Sequence, residues 1–593
     1  MSAQRLRVLI WTSAFLCIAL IPQLAGRFAI ALMNDIGVSA LVVLGVVLLT
    51  GVGGATSFGQ AAFVGIAAYA TGWLTTAHGA SPWIGLMFAL TLTAGSAALI
   101  GWLTLRLKGH FLPLSTIAWG LSIALLFGNV DALGRHSGLP NIPAIQLGPW
   151  SLLDTGTIYY LIWALVGLVY WLSRNLLHSR VGRCIRSLRG GTVLLASVGA
   201  DAFRVRLVLF VIAAQYAGLA GWLYAHMNRF VSPSPFDVHA SINYLLMALA
   251  GGLGHLGGAL VGSGLVLLLK NALQDWLAAL SAQGGQIEGV VFSVLFILLL
   301  HHARSGLVGF VARWRGRFVS TAPQRRAAPA RCLSQRVPVA AGTTIVSVRG
   351  VVKRFGGLIA VNDVSFDVHA GEIVGLIGPN GAGKSTMFNL ITGSLAKSAG
   401  TVQFLGHDIT AARQLEIARM GLARTFQHVK LRPQMSLLDN VALGAHLRTH
   451  CGVFRSGLGL NRTEEAQVFE VAYQQLARIG LRDRAHELAG ALPLATQRLL
   501  EIARSLASDP VLLILDEPAA GLRRAEKLAL AELLRKLRDE GVTILIVEHD
   551  MDFVMNLVDR LVVMNFGAKL LEGTPAAIRA DERVQAAYLG SIA

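Results

Sequence analysis

Charge is scarce in this sequence. Asp, Glu, Lys and Arg make up 14% of its 593 residues, against 54% hydrophobic residues. That balance excludes a disordered chain and argues against a wholly soluble enzyme. Cysteine is scarcer still. Cys17, Cys184, Cys332 and Cys451 are scattered with no CxxC pair, so neither a disulfide framework nor a zinc site is expected. Negative charge is the rarer sign, with 33 acidic residues against 51 basic ones and a net +18, but the imbalance is local. Before Ala341 stand 23 of the basic residues and 7 of the acidic ones, which leaves a nearly neutral remainder of 28 and 26. The excess flanks long uncharged runs. That is the pattern of membrane topology rather than of a phosphate-binding surface, and no nucleic-acid partner is expected.

No charged residue occurs across the 70 positions 36–105, room for about three spans of roughly 20 residues each. Other uncharged runs are 8–26, 207–228 and 238–269. The first has 19 residues, longer than the about 7–15 of a secretory-signal core, and reads as a retained span. Basic residues cluster at Arg5 and Arg7, at Arg106 and Lys108, between Arg174 and Arg206, and between Arg304 and Arg336. Placing these inside puts the amino terminus and the basic tail on the cytoplasmic side and requires an even number of spans. The candidates lie near 8–26, 30–49, 60–77, 83–105, 112–130, 157–173 and 207–227, with three more in 238–303. The break among these last is set at the glycines of 251–258 and the final span near 287–303. Ten spans are expected, or eight if some segments are re-entrant. Glycines at the break also suit close helix packing. Asn129, Gln215, His226 and Asn243 are polar residues within these runs, open to a path-lining role or to packing.

Two segments interrupt the hydrophobic pattern. Residues 179–210 are too polar to span and too long for a turn, and their apolar set Val193, Leu194 and Ala196 suits a short helix. Such a segment either docks on a soluble motor or lies solvated against anionic lipid. Residues 304–344 are rich in Arg, Ala and Pro without periodicity and read as a basic flexible linker. The expected division is therefore a membrane domain over 1–303, a linker over 304–344 and a nucleotide-binding domain over 345–593.

The sequence GEIVGLIGPNGAGKSTMFNL places a strand before, and a helix after, the phosphate-loop run Gly378, Pro379, Asn380, Gly381, Ala382, Gly383, Lys384, Ser385, Thr386. Glycines let backbone N–H groups curl around phosphate oxygens, Lys384 supplies a point charge to the β and γ phosphates, and Ser385 can ligate magnesium. Downstream, the apolar run from Val511 to Leu515 ends in Asp516-Glu517. Alone it would be an ordinary buried parallel strand. After a phosphate loop it suits a magnesium-positioning Asp516 and a Glu517 that polarises the attacking water. The fold expected is a polytopic α-helical membrane domain followed by an α/β P-loop ATPase domain, with ATP and Mg2+ as cofactors.

The order of these pieces resembles the ATP-binding cassette (ABC) family. The resemblance puts Gln427 of ARTFQHVKL at the glutamine that senses the γ-phosphate and magnesium, His549 of ILIVEHDM at the switch histidine, and Phe355 of KRFGGLIAV at the aromatic that stacks on adenine. The stretches RFGGLIAVNDVSF, TFQ, LEIAR, DEPAAGL and EHDM are similar to the ATP-binding subunit of branched-chain amino acid importers. SFGQAAFVGIAAYATGW, VGRCIRSLR, AGLAGWLYA and INYLLMALAGGLGHLGGALVG look like that system's permease, with 179–199 as its coupling loop. The resemblance implies a fused permease-ATPase chain in the cell inner (plasma) membrane, its ATPase cytoplasmic. It further implies a second permease, a second ATPase with an intact signature motif, an extracytoplasmic solute-binding protein and surrounding membrane lipid.

Two departures stand out. Leu492-Pro493-Leu494-Ala495-Thr496 occupies the place of the family signature, with Pro493 for serine or alanine and Ala495 for glycine. Proline removes a donor and alanine adds a Cβ where close approach is needed. Arg523-Arg524 replaces the acid or asparagine that resemblance leads one to expect after AAGL. An intact hydrolytic set beside a damaged signature points to an asymmetric heterodimer. A non-hydrolysing regulatory subunit is the alternative from another class, and an exporter half or a basic nucleic-acid ATPase fits the pattern less well. Branched-chain amino acids, urea, short amides and aromatic acids all remain open as solutes.

Overall fold

Long uncharged runs become helices in the first half, and short apolar runs become the strands of sheets in the second. The computed structural model describes residues 20–107, 111–280, 284–303, 306–316 and 333–589. They form two compact units. The first takes the described residues of Met1–His178 and Phe203–Thr321 with the short stretch Gly457–Gly459. The second takes those of Ser179–Ala202, Ala322–Ser456 and Leu460–Ala593.

The helices of the first unit are α1 (Arg27–Val46), α2 (Gln60–Ala77), α3 (Pro82–Thr104), α4 (Phe111–Asn129) and α5 (Thr155–Leu177). After two short helices of the other unit, α6 (Arg180–Ser187) and α7 (Thr192–Ser197), come α8 (Ala202–Asn228), α9 (Val238–Gly251), α10 (Leu256–Leu280), α11 (Gly284–His302) and α12 (Gly306–Gly316). Helix α1 runs on through a wide turn, Val47–Val52, in which Gly53 N–H donates to Leu48 O five residues back.

Among the described residues seven helices are long and apolar enough to cross a membrane, not the ten expected. The difference has three sources. Most of the expected span 8–26 lies outside the described residues. Helix α9 has 14 residues, about 21 Å of helix against the roughly 30 Å hydrocarbon core. Helix α2 is less apolar than the seven and mostly buried inside the unit. Hydropathy counts apolar residues; it does not separate a half-length helix inside a bundle from one that reaches both faces.

The break expected at the glycines is where α9 turns into α10. A Cβ on Gly251 would lie 1.8 Å from Gly258 O, and one on Gly262 1.9 Å from Met247 O. Only glycine permits these backbones to approach so closely. Of the four polar residues singled out, three are tied to nearby backbone: Asn129 Nδ2 donates to Leu125 O, Gln215 Nε2 to Leu90 O, and His226 pairs with Pro143 O and Thr71 Oγ1. Each thus has at least one hydrogen-bond partner in the fold, and Asn129 is exposed. Asn243 is half-buried.

The strands of the second unit are β1 (Thr344–Phe355), β2 (Leu358–His369), β3 (Ile373–Ile377), β4 (Ala399–Phe404), β5 (His407–Asp408), β6 (Leu422–Arg424), β7 (Leu512–Asp516), β8 (Thr543–Val547), β9 (Arg560–Asn565) and β10 (Ala568–Gly573). One sheet has the order β10-β9-β3-β8-β7-β6, parallel except at the β9/β10 edge, and the other the antiparallel order β2-β1-β4-β5. Strands β3, β7 and β8 are buried at every residue, as parallel strands covered on both faces must be. Val374, Leu376, Leu512, Ile514, Leu545 and Val547 face the antiparallel sheet and α13 (Lys384–Ile391). Their neighbours Ile373, Leu513, Leu515 and Ile546 face the opposite layer, the alternation a strand imposes.

The remaining helices used below are α14 (Gln414–Met420), α15 (Leu437–Gly444), α16 (Val453–Gly457), α17 (Arg462–Arg478), α18 (Leu494–Leu506), α19 (Arg524–Asp539), α20 (Met551–Met555), α21 (Pro575–Ala580) and α22 (Glu582–Leu589). Helices α15, α17 and α18 enclose a third, helical core that also takes in Leu333. The end of the expected linker is thus built into this unit. Arg336 donates from its guanidinium to Met420 O and Arg419 O, and from its backbone to Asp509 Oδ2. The last carbonyls of α14 lack intrahelical donors, and this cation supplies them. Residues 317–332 lie outside the described residues.

Candidate functional site

Strand β3 ends at Ile377, and the phosphate-loop run turns directly off it. Gly378 has φ +154°, and a Cβ there would lie 2.1 Å from Met564 O; at Gly383, φ +94°, it would lie 2.4 Å from Ala360 O. The loop is closed against its neighbours and admits only glycine at these two places. Ala382 is buried, Asn380 and Gly381 are exposed, and Pro379 is half-buried. Lys384 opens α13 with Ser385 exposed and Thr386 half-buried beside it. The Lys384 ammonium donates to Gly378 O at 2.6 Å and Pro379 O at 2.9 Å. Burial lowers its pKa, partly opposed by the Glu517 carboxylate.

Strand β7 delivers Asp516 at its last residue. Asp516 is 6% exposed, and its Oδ1 has no hydrogen-bond partner. Its Oδ2 lies 3.6 Å from Arg424 Nη2. Burial raises its pKa, with Arg424 opposing. A buried carboxylate oxygen with an open lone pair suits a cation. Among the described residues no group of three or more His, Cys, Asp or Glu could hold a metal ion by itself. A divalent ion at Asp516 would need further oxygens from other side chains, water or a bound phosphate.

Glu517 has φ +47°, a left-handed conformation that is strained for a side chain of this size. Three contacts hold it: its N–H donates to Val547 O at 2.9 Å, Arg498 Nη1 donates to its carbonyl at 2.5 Å, and Gln427 Nε2 donates to its Oε2 at 3.0 Å. His549 Nδ1 stands 3.9 Å from its other carboxylate oxygen. The fold thus gathers Gln427, Glu517 and His549 from three separate segments. Phe355 stands apart from them, 47% exposed at the tip of the β1–β2 hairpin with Lys353 Nζ 5.0 Å from its ring centroid.

Three residues of this framework were not singled out by sequence. Arg424 supports Asp516, stacks on Phe388 and Phe426, and donates to Thr392 and Ser394. Arg498 pins Glu517 from the helix that follows the degenerate signature. Glu548 is fully buried; its carboxylate accepts the N–H of Ala519 at 2.6 Å and of His549 at 3.1 Å. Burial raises the Glu548 pKa against these two donors. It joins the turn after Glu517 to the segment of His549. Arg424 and Glu548 lie inside the quoted stretches ARTFQHVKL and EHDM, which was the only sequence signal.

Pro493 is the N-cap of α18 and gives no side-chain cap. Gln497 N–H is the first to find an intrahelical acceptor, Pro493 O. Leu494, Ala495 and Thr496 accordingly present backbone N–H groups at a helix start, with the Leu494 side chain 54% exposed in front of them. Arg523 caps α19 without a side-chain bond, the cap being closed from the other side by Glu526 on Arg523 N–H at 2.7 Å.

The segment Ser179–Ala202 docks within this unit rather than lying as a solvated loop. Arg183, 2% exposed, reaches Glu465 with both guanidinium nitrogens at 2.5 and 3.2 Å, and Arg180 N–H donates to the same carboxylate at 2.7 Å. Arg186 pairs with Asp439 at 3.1 and 3.3 Å. The three-residue spacing puts all three arginines on one side of α6. His446 lies beneath them, its Nδ1 3.2 Å from Cys184 Sγ. Burial, then Arg180 and Arg183, push its pKa down to about 3, so it accepts rather than adding positive charge.

Residues 361–520 match the family model described as ABC transporter, residues 28–300 that of the branched-chain amino acid transport system permease component, and residues 568–593 that of the branched-chain amino acid ATP-binding cassette transporter. The high-affinity branched-chain amino acid transport ATP-binding protein LivG of Escherichia coli K12 is 44% identical over 250 residues, 42% of this chain and 98% of LivG. BraF of Pseudomonas aeruginosa, a protein of the same description, is 43% identical over 251 residues with the same coverage. A crystal structure of a nucleotide-free ATP-binding cassette from an ABC transporter is 32% identical, covering 42% of this chain and 99% of that one, with a TM-score of 0.37. Fold and family models together define a transport ATPase joined to a helical permease in one chain. The chain belongs to the ABC transporter family, in the branch of the branched-chain amino acid importers.

Proposed function

We propose that this chain supplies one membrane bundle and one motor to an importer of branched-chain amino acids in the inner (plasma) membrane, with the motor cytoplasmic. The observation that carries the reading is Glu517, held between Gln427 and His549 at the end of the Asp516 strand, in a chain whose residues 28–300 match a permease of that system. A second permease, a second ATPase and an extracytoplasmic binding protein complete the complex.

In this reading the loop from Gly378 to Thr386 binds the phosphates of ATP through backbone N–H groups and Lys384, and Phe355 stacks on the base. Ser385, Asp516 and Gln427 would hold Mg2+, which when bound supplies charge neutralisation at the β and γ phosphates. Glu517 orients and takes a proton from the attacking water, and His549 stands beside it to contact the γ-phosphate. Arg424 keeps Asp516 in place, Arg498 keeps the Glu517 backbone in place, and Glu548 joins the two sides of the site. The segment Ser179–Ala202 carries closure of the motors toward the permease.

The uncapped α18 favours one further point. The donors of Leu494, Ala495 and Thr496 serve the opposite motor in this family, and Pro493 offers no hydroxyl beside them. The hydrolytic set of this chain then works with the partner's signature, while its own signature caps a weaker site.

The test is ATP hydrolysis and leucine uptake by the chain reconstituted with and without its co-expressed neighbours, for wild type and Glu517→Gln. Partner-dependent turnover that disappears in Glu517→Gln, with loss of uptake, supports the reading. Turnover indifferent to Glu517 makes this chain a regulatory nucleotide binder instead.

A further inference from the structure

One apolar surface of the chain belongs to no core. Phe454 is 88% exposed, Leu458 50% and Leu460 63%, all within a stretch of seven residues. The exposure is built rather than frayed. Ser456 and Asn461 on either side are buried, Leu460 N–H donates back to Arg455 O at 2.9 Å, and the Glu464 carboxylate accepts from His450 N–H at 2.6 Å and Cys451 N–H at 3.1 Å. The loop is folded around its polar residues and holds its leucines and phenylalanine outward.

The middle of this stretch, Gly457–Gly459, is part of the membrane unit. Gly457 O accepts from Asn175 Nδ2 at 3.0 Å, and a Cβ on Gly457 would touch Leu172 at 3.8 Å. Asn175 and Leu172 are in the last turns of the span α5. Trp171, 43% exposed, and Leu168, 48% exposed, lie just before them, and Arg174 and His178 stand beside them. Tryptophan followed by cationic residues marks where a span leaves the hydrocarbon for the headgroups. The basic segment that follows α5 makes this the cytoplasmic end. Leu458 is therefore tied at headgroup level, with Leu460 one residue beyond the tied stretch and Phe454 three residues before it. Arg455 and Arg462 alternate with them, as in segments that lie on anionic membrane surfaces.

We infer that residues 453–460 form a membrane-surface anchor of the motor, inserting Phe454, Leu458 and Leu460 into the cytoplasmic leaflet while Arg455 and Arg462 meet anionic phospholipid headgroups. The occupant is lipid, because the stretch is joined to the end of a span at interfacial depth and its charges are of the sign that anionic lipid attracts. This inference goes beyond the transport reading and rests only on α5 being a span.

The test places a photo-crosslinking benzoyl-phenylalanine singly at positions 454, 458 and 460 of the full chain in nanodiscs of phosphatidylethanolamine with a minority of phosphatidylglycerol. Position 528, an exposed leucine on α19, serves as control. Peptides carrying the mass of a phospholipid at 458 and 460, and none at 528, are expected. Adducts only to protein would overturn the inference in favour of a subunit interface, and the absence of any lipid adduct would overturn it outright. A second measurement guards against poor incorporation: Leu460→Cys should resist a membrane-impermeant maleimide in the disc and react once detergent replaces lipid. Equal reaction in both would also sink the anchor.

Discussion

Asp516 is held in surroundings that disfavour its charge, since burial raises its pKa and Arg424 at 3.6 Å only partly offsets that. A carboxyl whose folded pKa lies above its unfolded value binds more protons in the native state, so stability falls as pH rises from the unfolded value near 3.8 through the raised one. Above that window the cost is fully present. Asp516→Asn removes it and should raise the nucleotide-free melting temperature at neutral pH, while abolishing magnesium-dependent hydrolysis. A variant that lost stability as well as activity would show that Arg424 relies on the charge. Glu517→Gln should leave nucleotide binding intact and lower the hydrolytic rate by about 10²–10⁴-fold, the usual weight of a general base. Single-turnover hydrolysis measured beside ATP affinity separates the two effects.

At the scale of elements, α6 depends on a partner far away in sequence. Arg183 and Glu465 have side chains 2% and 8% exposed, so removing either leaves the other buried without its counter-ion. Arg183→Ala or Glu465→Ala should each cost about 3–5 kcal/mol where they meet, whereas replacing both with apolar residues of similar volume should cost much less. Denaturant unfolding of the four members of that cycle gives the coupling. Uptake measured beside ATPase rate should fall further than hydrolysis in the single variants, since 179–199 is read as the coupling loop. Arg186 and Asp439, both partly open to solvent, should matter by about 1 kcal/mol or less.

The same scale shows what sequence could and could not convey. Lys384, Asp516 and Glu517 were legible because each sits at a fixed offset from a strand with an unmistakable apolar run. Gln427, His549 and Phe355 became legible through resemblance alone, since a single glutamine or histidine has no local mark. Arg424, Arg498 and Glu548 were not legible as framework residues, because what each does is defined by a partner up to 92 positions away, as with Arg424 and Asp516. The shortness of α9 was hidden for a different reason: its end is set by the glycine contact with α10, not by a polar residue that hydropathy would register.

For the whole molecule the proposed asymmetry between two motors is the property to test. Substituting the lysine of the partner's phosphate loop should reduce turnover less than Lys384→Ala does, because the proposed asymmetry makes the site formed with Leu492 to Thr496 the weaker one. Equal loss from the two substitutions would make the sites equivalent. Restoring the signature by Pro493→Ser with Ala495→Gly should raise the partner-site rate if the donors of α18 are limiting. Steady-state hydrolysis by the reconstituted complex, compared among these variants, reads the outcome.

The Arg183–Glu465 pair also has a meaning in time. Its members are 282 positions apart, so the arginine leaves the ribosome long before the glutamate exists. At about 5–20 residues per second the interval is roughly 15–55 s. For most of it, until Asp439 is made, α6 carries three arginines on one side with neither acidic partner available, and anionic headgroups attract such charge. Synthesis of α17 then supplies Glu465, the last of the acidic partners. Maturation of this chain thus leaves a basic helix waiting on its counter-charges, and a chain truncated before α17 would keep Asp439 for Arg186 but leave Arg183 without Glu465.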